Sequence, residues 1–251
     1  MTDSTTYFSG RVENYIRYRP SYPSAIIDLL AEDCGLAKDW TVADIGSGPG
    51  NLTRLFLNYG AHVYAIEPNQ EMREAGERLL GARPGFASIS GTAEATGLPD
   101  ASVDLVTAGQ SFHWFDRQRA GVEFRRILRP PQWVALVWNE RLAGASPFLT
   151  ALDQFLARYV RSESQRREAG SSRALEEFFA ADGYHEATFE NRQTFDFAGL
   201  CGRVLSSSYA PLPGEPGHAE LLEQLRVLFE AHQDHGTVAF EYETQVYYGQ
   251  L

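Results

Sequence analysis

"VADIGSGPGN", residues 42–51, decides the fold. A short apolar run meets an acid, Asp44, and then three glycines at alternate positions, Gly46, Gly48 and Gly50. Glycine takes positive φ and lets one backbone approach another closely, so the stretch reads as a strand ending in a tight turn, with a helix opening at Asn51. Leu52, Leu55 and Phe56 give that helix an apolar face at helical spacing as far as about Tyr59. Such a turn lies beyond the carboxyl end of a buried strand, where open α/β sheets bind ligands, and it brings a helix N-terminus there.

Outward from the turn, apolar or β-branched runs alternate with helix-length amphipathic segments from Thr41 to Asn139. That rhythm predicts a parallel sheet with crossover helices. "HVYAIE" reads as the second strand, residues 70–80 as a helix, "FASIS" and "VDLVTAG" as the third and fourth strands. A helix over about 116–128, closed by Pro130-Pro131, leads to "QWVALVW" as the fifth. Upstream, "YPSAIIDLLAEDCGL" reads as an amphipathic helix opened by Pro23 and Ser24. Residues 147–182 and about 215–232 read as mainly helical, and "HEATFENRQTFDF" and "TVAFEYETQVYYG" as two further strands of the same sheet. The expectation is an α/β chain: a doubly wound, seven-stranded, mostly parallel sheet with a mainly helical cap. Residues 1–39 would cover the ligand, 40–139 would bind it, and 140–251 would supply the cap and the last two strands.

Composition narrows the partners. The 251 residues carry 33 acidic and 22 basic side chains, a formal charge of -11, which repels phosphate backbones and anionic headgroups and argues against nucleic acid or membrane. Lys38 is the only lysine, so Schiff-base chemistry has almost no candidate. Cys34 and Cys201 stand far apart without a CxxC spacing, as expected of small buried residues in a reducing compartment. "MTDSTTYFSG" has neither the basic nor the apolar region of a signal peptide, and no apolar run approaches the roughly 20 residues that span a bilayer. A cytoplasmic protein, monomer or homodimer, is expected.

The glycines discriminate between ligands. The dinucleotide fingerprint is GxGxxG, whereas here Asn51 stands where the third glycine would be. Asp44 puts a carboxylate near the place a pyrophosphate would occupy, so an anion would be repelled and a cation attracted. S-adenosylmethionine carries a sulfonium and an α-ammonium and no phosphate. Glu67, ending the second strand, can accept hydrogen bonds from both hydroxyls of an unphosphorylated ribose, which identifies a nucleoside but not which one.

With these residues in place, the chain resembles the class I S-adenosylmethionine-dependent methyltransferases, in particular those with the methyltransferase type 11 domain. "VADIGSGPGN" is similar to their first motif, "VYAIEPNQEM" to the acidic end of strand 2, "GTAEATGLPDASVDLV" to the adenine loop and fourth strand, and "RILRP" to the approach to strand 5. "YIRYRPSYP" and "SFHWFD" resemble a subgroup related to trans-aconitate methyltransferase. "RPPQ" departs from the usual RPGG, so the turn into strand 5 must be built differently. The resemblance implies a Rossmann-like methyltransferase fold, S-adenosylmethionine as cofactor and a small-molecule acceptor. It implies that Gly46, Ser47 and Gly48 line the methionine and ribose, that Glu67 binds the ribose, and that Pro68 or Asn69 lies against adenine. Thr92, Ala93 and Glu94 would border the adenine edge, and Gln110 and Ser111 the methionyl chain.

Other residues carry competing readings. "FHWFD" sets Phe112, His113, Trp114, Phe115 and Asp116 just past strand 4, where an aromatic wall could face a sulfonium and His113, beside Trp114, could take a proton from the acceptor. Alternatively the rings pack the cap and Asp116 caps a helix. Arg19 could pair with the methionine carboxylate of the cofactor while Tyr15 closes over the ligand, or the segment could be a solvated basic stretch. Glu94 could equally be an exposed acid at a helix start, and "SSSYAP" a polar loop rather than a source of hydroxyls for substrate. His232 and His235 are spaced for a metal, but no further ligand pattern accompanies them, and no metal is expected. Two other function classes remain open: a non-catalytic sensor of S-adenosylmethionine or S-adenosylhomocysteine, and a nicotinamide oxidoreductase, which would need the missing third glycine.

Overall fold

The computed structural model describes residues 10–158, 172–179 and 183–251. Its elements run α1 (Val12–Tyr18), α2 (Ala25–Cys34), β1 (Thr41–Ile45), α3 (Asn51–Tyr59), β2 (His62–Ile66), α4 (Gln70–Leu80), β3 (Phe86–Ile89), β4 (Val103–Gly109), α5 (Arg117–Ile127) and β5 (Leu128–Arg141). There follow α6 (Pro147–Leu156), α7 (Ser172–Phe179), β6 (His185–Phe195), α8 (Phe197–Leu205), α9 (His218–His232) and β7 (Val238–Gln250). The remainder of the helical stretch expected over 147–182 lies outside the described residues.

The seven strands form one sheet in the order β3-β2-β1-β4-β5-β7-β6. Strands β1 to β5 are parallel, and β7 runs antiparallel between β5 and β6. The sheet is therefore mixed and mostly parallel. Reversal of order at β1 and β4 opens a crevice at their carboxyl ends, the switch point where sheets of this kind bind ligands.

Both faces of the sheet are covered, which explains the nearly continuous apolar strands. Val42, Leu105, Ala135 and Val137 face α2 and α3, packing with Ile26, Leu30, Leu52 and Phe56. Ala43, Ile45, Val106, Leu136 and Trp138 face α5 and α7, packing with Phe112, Phe124, Phe178 and Phe179. A third core joins α6, α8 and α9 to the ends of β6 and β7 through Leu152, Leu200, Leu225, Phe195 and Phe240.

Several local readings change. The residues 12–18 and 197–205 form helices that were not expected. Ser24 occupies the first position before α2, but its side chain makes no capping bond. Pro130-Pro131 does not close α5, which ends at Ile127; the pair lies inside β5. There the Pro130-Pro131 bond is cis and Gln132 takes φ 67°, a region that favours glycine, so the departure from RPGG is accommodated by the backbone itself. Among the described residues no helix is long and apolar enough to cross a membrane.

Candidate functional site

The site begins at the end of β1. Asp44 is 0% exposed and points to the α3 side of the sheet, where Thr53 Oγ1 donates to its Oδ2 at 2.6 Å. Its Oδ1 is buried and makes no hydrogen bond among the described residues. Burial raises the carboxyl to about 7, opposed by the Thr53 bonds and assisted by the nearby Glu67 charge. This acid thus lies at the boundary between neutral and charged, with one oxygen uncommitted.

The turn after it is pinned through its backbone. Gly46 and Ser47 donate to the Ile66 carbonyl at 2.8 and 3.1 Å, which ties the end of β1 to the end of β2. Gly46 has φ 66°, and a Cβ there would come within 2.6 Å of Ser111 Cβ. Gly48 differs: at φ 55° its missing Cβ would meet nothing within 4 Å. Its outer face is open, which is the space a ligand lying across the turn requires.

Glu67 closes the turn from β2. Its Oε2 accepts from Gly48 N and its Oε1 from Asn69 N, both at 2.8 Å, and the residue is 8% exposed. Burial pushes its carboxyl upward against the pull of those two N–H groups. A carboxylate has about four acceptor sites, so each oxygen keeps capacity for a ligand hydroxyl. Beside it Pro68 is half-buried, whereas Asn69 spends its side chain capping α4 by accepting from Met72 N at 2.9 Å.

The loop after β3 forms the next wall. Thr92 is exposed and exchanges backbone bonds with Ala95, Ala93 is buried, and Glu94 Oε1 accepts from Asp116 N at 2.8 Å, anchoring the loop to the start of α5. Asp116 in turn caps α5 through Arg119 N. Thr96 supports the loop from beneath: its N and Oγ1 donate to Glu123 Oε1 at 2.8 and 2.6 Å, and Arg126 donates to both Glu123 oxygens. The Arg126 bonds, with those from Thr96, bring the Glu123 carboxyl down to about 2.

At the end of β4, Gln110 adopts φ 59° and donates from Nε2 to the Asn139 carbonyl at 2.9 Å. Ser111 donates its hydroxyl to the Ile45 carbonyl at 2.7 Å, which locks β4 to β1 beneath Gly46. Phe112 is fully buried among Phe115, Trp138 and Phe178. His113 and Trp114 are half-buried in a short turn with their rings 4.8 Å apart.

The N-terminal segment lies on the other side of the crevice. Tyr15 and Ile16 pack on Met72 and Ala75 of α4, while Tyr18 sits against Gly202 of α8 so closely that a Cβ there would be 2.0 Å from its ring. The Arg19 guanidinium stands 5.2 Å from the Tyr15 ring and donates to the Ser206 carbonyl at 3.0 Å and to Ser207 Oγ at 3.4 Å. Arg11 also reaches this loop, donating to the Ser207 and Ala210 carbonyls. The Ser21 carbonyl accepts from Asn139 and Asn191, fastening the segment across β5 and β6. The structure thus gathers Asp44, Gly46, Ser47, Gly48, Glu67 and Ser111 at the carboxyl ends of β1, β2 and β4, with Glu94 and Gln110 on the loops after β3 and β4, Tyr15 on α1 and Arg19 just after it. His232, at the end of α9, meets the Phe148 ring, and His235 is exposed beyond it.

Sequence reasoning passed over Thr53, Thr96, Glu123 and Arg203. Thr53 carries a weak signal, a hydroxyl on the buried face of α3. Arg203 carries a stronger one, since in "FAGLCGRVLSSS" no acid stands three or four residues away to pair with it.

Against this geometry, a model described as a methyltransferase domain matches residues 43–136. An uncharacterized methyltransferase of Mycobacterium tuberculosis is 40% identical over 139 residues, 55% of this chain and 54% of that protein, so the chain spans about half the length of such curated relatives. An uncharacterized methyltransferase of Mycolicibacterium gilvum is 30% identical over 179 residues, 64% of this chain and 69% of its own length. The chain belongs to the methyltransferase family. A solved structure from Anaeromyxobacter dehalogenans, assigned to the type II methyltransferases, has the same fold with a TM-score of 0.74 over 93% of this methyltransferase chain and 98% of its own, at 23% identity.

Proposed function

We propose that the protein transfers a methyl group from S-adenosylmethionine to a small-molecule acceptor. The observation that carries this reading is a buried acid with an uncommitted oxygen, Asp44, behind a turn whose Gly48 face is open and whose edge is held by the carboxylate of Glu67. Two acids at one glycine turn suit a ligand that brings positive charge and ribose hydroxyls, and they disfavour a diphosphate. The residues therefore fit this cofactor.

Glu67 would take the ribose hydroxyls on the lone pairs its backbone partners leave free. Pro68 would lie against the adenine, with Thr92, Ala93 and Glu94 along its edge. Asp44 would favour the cationic end of the ligand, either directly or through the field it sets up behind Gly46 and Ser47. When bound, S-adenosylmethionine supplies a methyl already activated by its sulfonium for in-line displacement. The chain then has to orient the acceptor and exclude water rather than build a strong nucleophile. Tyr15, Arg19 and Trp114 would wall the crevice, and His113 would accept a proton where the acceptor must lose one.

Calorimetric titration with S-adenosylmethionine, S-adenosylhomocysteine and NAD tests the cofactor. The two sulfur ligands should bind and NAD should not; NAD binding alone would overturn the reading. Release of S-adenosylhomocysteine with an acceptor panel tests turnover, and binding without release across the panel would favour a sensor.

A further inference from the structure

Arg203 on α8 is 8% exposed and has no carboxylate within ion-pair distance among the described residues. Its Nε donates to Tyr242 Oη at 3.0 Å, and its guanidinium carbon lies 5.8 and 5.9 Å from the Phe240 and Tyr242 ring centres. Aromatic faces and one phenol oxygen soften the burial of the charge without neutralising it. No hydrogen bond from Nη1 or Nη2 to a described residue is formed. A guanidinium does not shed its proton, so it presents this charge at every working pH.

Its position connects it to the crevice. Tyr242 pairs with Arg141 at the carboxyl end of β5, so Arg203 lies beyond the ligand-binding end of the sheet. Tyr18 of α1 packs on the adjacent Gly202, and α1 in turn packs on α4, whose Gly76 abuts the backbone of Gly48 and Pro49. Tyr15 and Tyr209, both half-buried, lie near enough to act on the Arg203 charge. A chain of packed contacts therefore runs from the Gly48 carbonyl through α4 and α1 to the buried Arg203, which Tyr242 touches and Tyr15 and Tyr209 adjoin. Of the other cations at this end, Arg11 and Arg19 direct hydrogen bonds to the carbonyls of 206–210, and Arg141 pairs with Asp153.

We infer that the methyl acceptor is a monocarboxylate with an apolar or aromatic body, held by Arg203 through its two terminal nitrogens. The planar fork matches a carboxylate in a two-point bond, one guanidinium balances one negative charge, and the tyrosines supply flat surface for the rest of the molecule. This inference rests on the methyltransferase reading for the word acceptor, but the anion site itself does not.

The test uses the full chain saturated with S-adenosylhomocysteine, with benzoate and phenylacetate as probes, their primary amides as neutral controls and citrate as a polyanion, all at matched ionic strength. Calorimetry and thermal shift should show the two acids binding and the amides not. Arg203→Met should lose at least tenfold in acid affinity while its melting temperature holds or rises, since a buried charge has been replaced by an apolar chain of similar length. Arg203→Lys, which keeps the charge and loses the fork, should fall between, and it serves if the methionine variant does not fold. Affinity for S-adenosylhomocysteine should be unchanged in both. Amides binding as well as acids, citrate binding more tightly than benzoate, acid affinity surviving in Arg203→Met, or no acid binding at all would each overturn the inference. Acid binding that depends on Arg203 in a protein that binds no S-adenosylhomocysteine would uphold the anion site and count against the cofactor reading alone.

Discussion

Among the described residues the glycine turn and helix α8 each bury an ionisable group without an ion-pair partner, an acid in one and a base in the other, with different consequences. Asp44 can wait for a ligand as a neutral acid, because a carboxyl pushed to about 7 gives up its charge at modest cost. Arg203 has no such recourse and relies on the rings of Phe240 and Tyr242. On the proposed function the first region would gain a cation and the second an anion, and methyl transfer from a sulfonium to an anionic acceptor would bring both.

The sharpest way to break the first half of this comparison is Gly46→Ala. A methyl there combines positive φ with a 2.6 Å approach to Ser111 Cβ, so a stability loss of about 2 to 4 kcal/mol is expected, together with loss of cofactor binding. Gly48→Ala separates the two effects: its Cβ would meet nothing within 4 Å among the described residues, so denaturant melts should show only the backbone penalty of about 1 to 2 kcal/mol while cofactor affinity falls. An unchanged affinity in Gly48→Ala would mean that nothing lies on that face.

Next in size is Glu67→Ala. Loss of charge-assisted bonds worth about 1.5 to 3 kcal/mol should weaken S-adenosylhomocysteine binding at least tenfold in calorimetry. A folded mutant with wild-type affinity would remove the ribose assignment.

A pH series sharpens the contrast between the two charges. Asp44 has its folded value raised from 3.8 to about 7, so its contribution to stability of the free protein is full below the unfolded value and is lost as pH rises through about 7. A bound cation favours the charged form, so affinity for S-adenosylmethionine should climb between pH 5.5 and 7, by at most about tenfold per unit, and flatten in Asp44→Asn. The Arg203 site should show no such slope for benzoate over the same range.

The smallest effect is expected where neither ligand touches. Glu123, held down to about 2 by Arg126 and Thr96, contributes stability above its unfolded value that is lost as pH falls toward 2. Glu123→Gln should cost about 1 kcal/mol in a neutral melt and reduce that acid sensitivity, with cofactor affinity nearly intact.

The two regions also differ in how much of them the sequence discloses. Asp44, Gly46, Gly48 and Glu67 are local: strand, turn and helix follow one another within 42–59, and the second acid ends the next strand, so spacing alone brings them together. The strand order was not read from the sequence; the apolar runs of β1, β4 and β5 reflect cover on both faces of the sheet. Thr53 was hidden because a hydroxyl on a helix is ordinary until its partner is known. Helix α1 was missed because its seven residues derive their stability from Met72, Ala75 and Gly202, far away in the chain. Arg203 was obscured for the same reason, since Phe240 and Tyr242 meet it only through tertiary packing. The turn around Pro130-Pro131 was misjudged because proline usually ends a helix, while here β5 continues through it.

On the proposed function the turn at residues 44–50 holds a positively charged methyl donor. A crystal structure of the protein soaked with S-adenosylhomocysteine tests it most directly. The ribose hydroxyls should lie on Glu67, the ligand across the open face of Gly48, and its ammonium within about 6 Å of the Asp44 carboxyl. A crevice filled by the protein's own side chains, or a phosphorylated nucleotide bound there in preference, would contradict it.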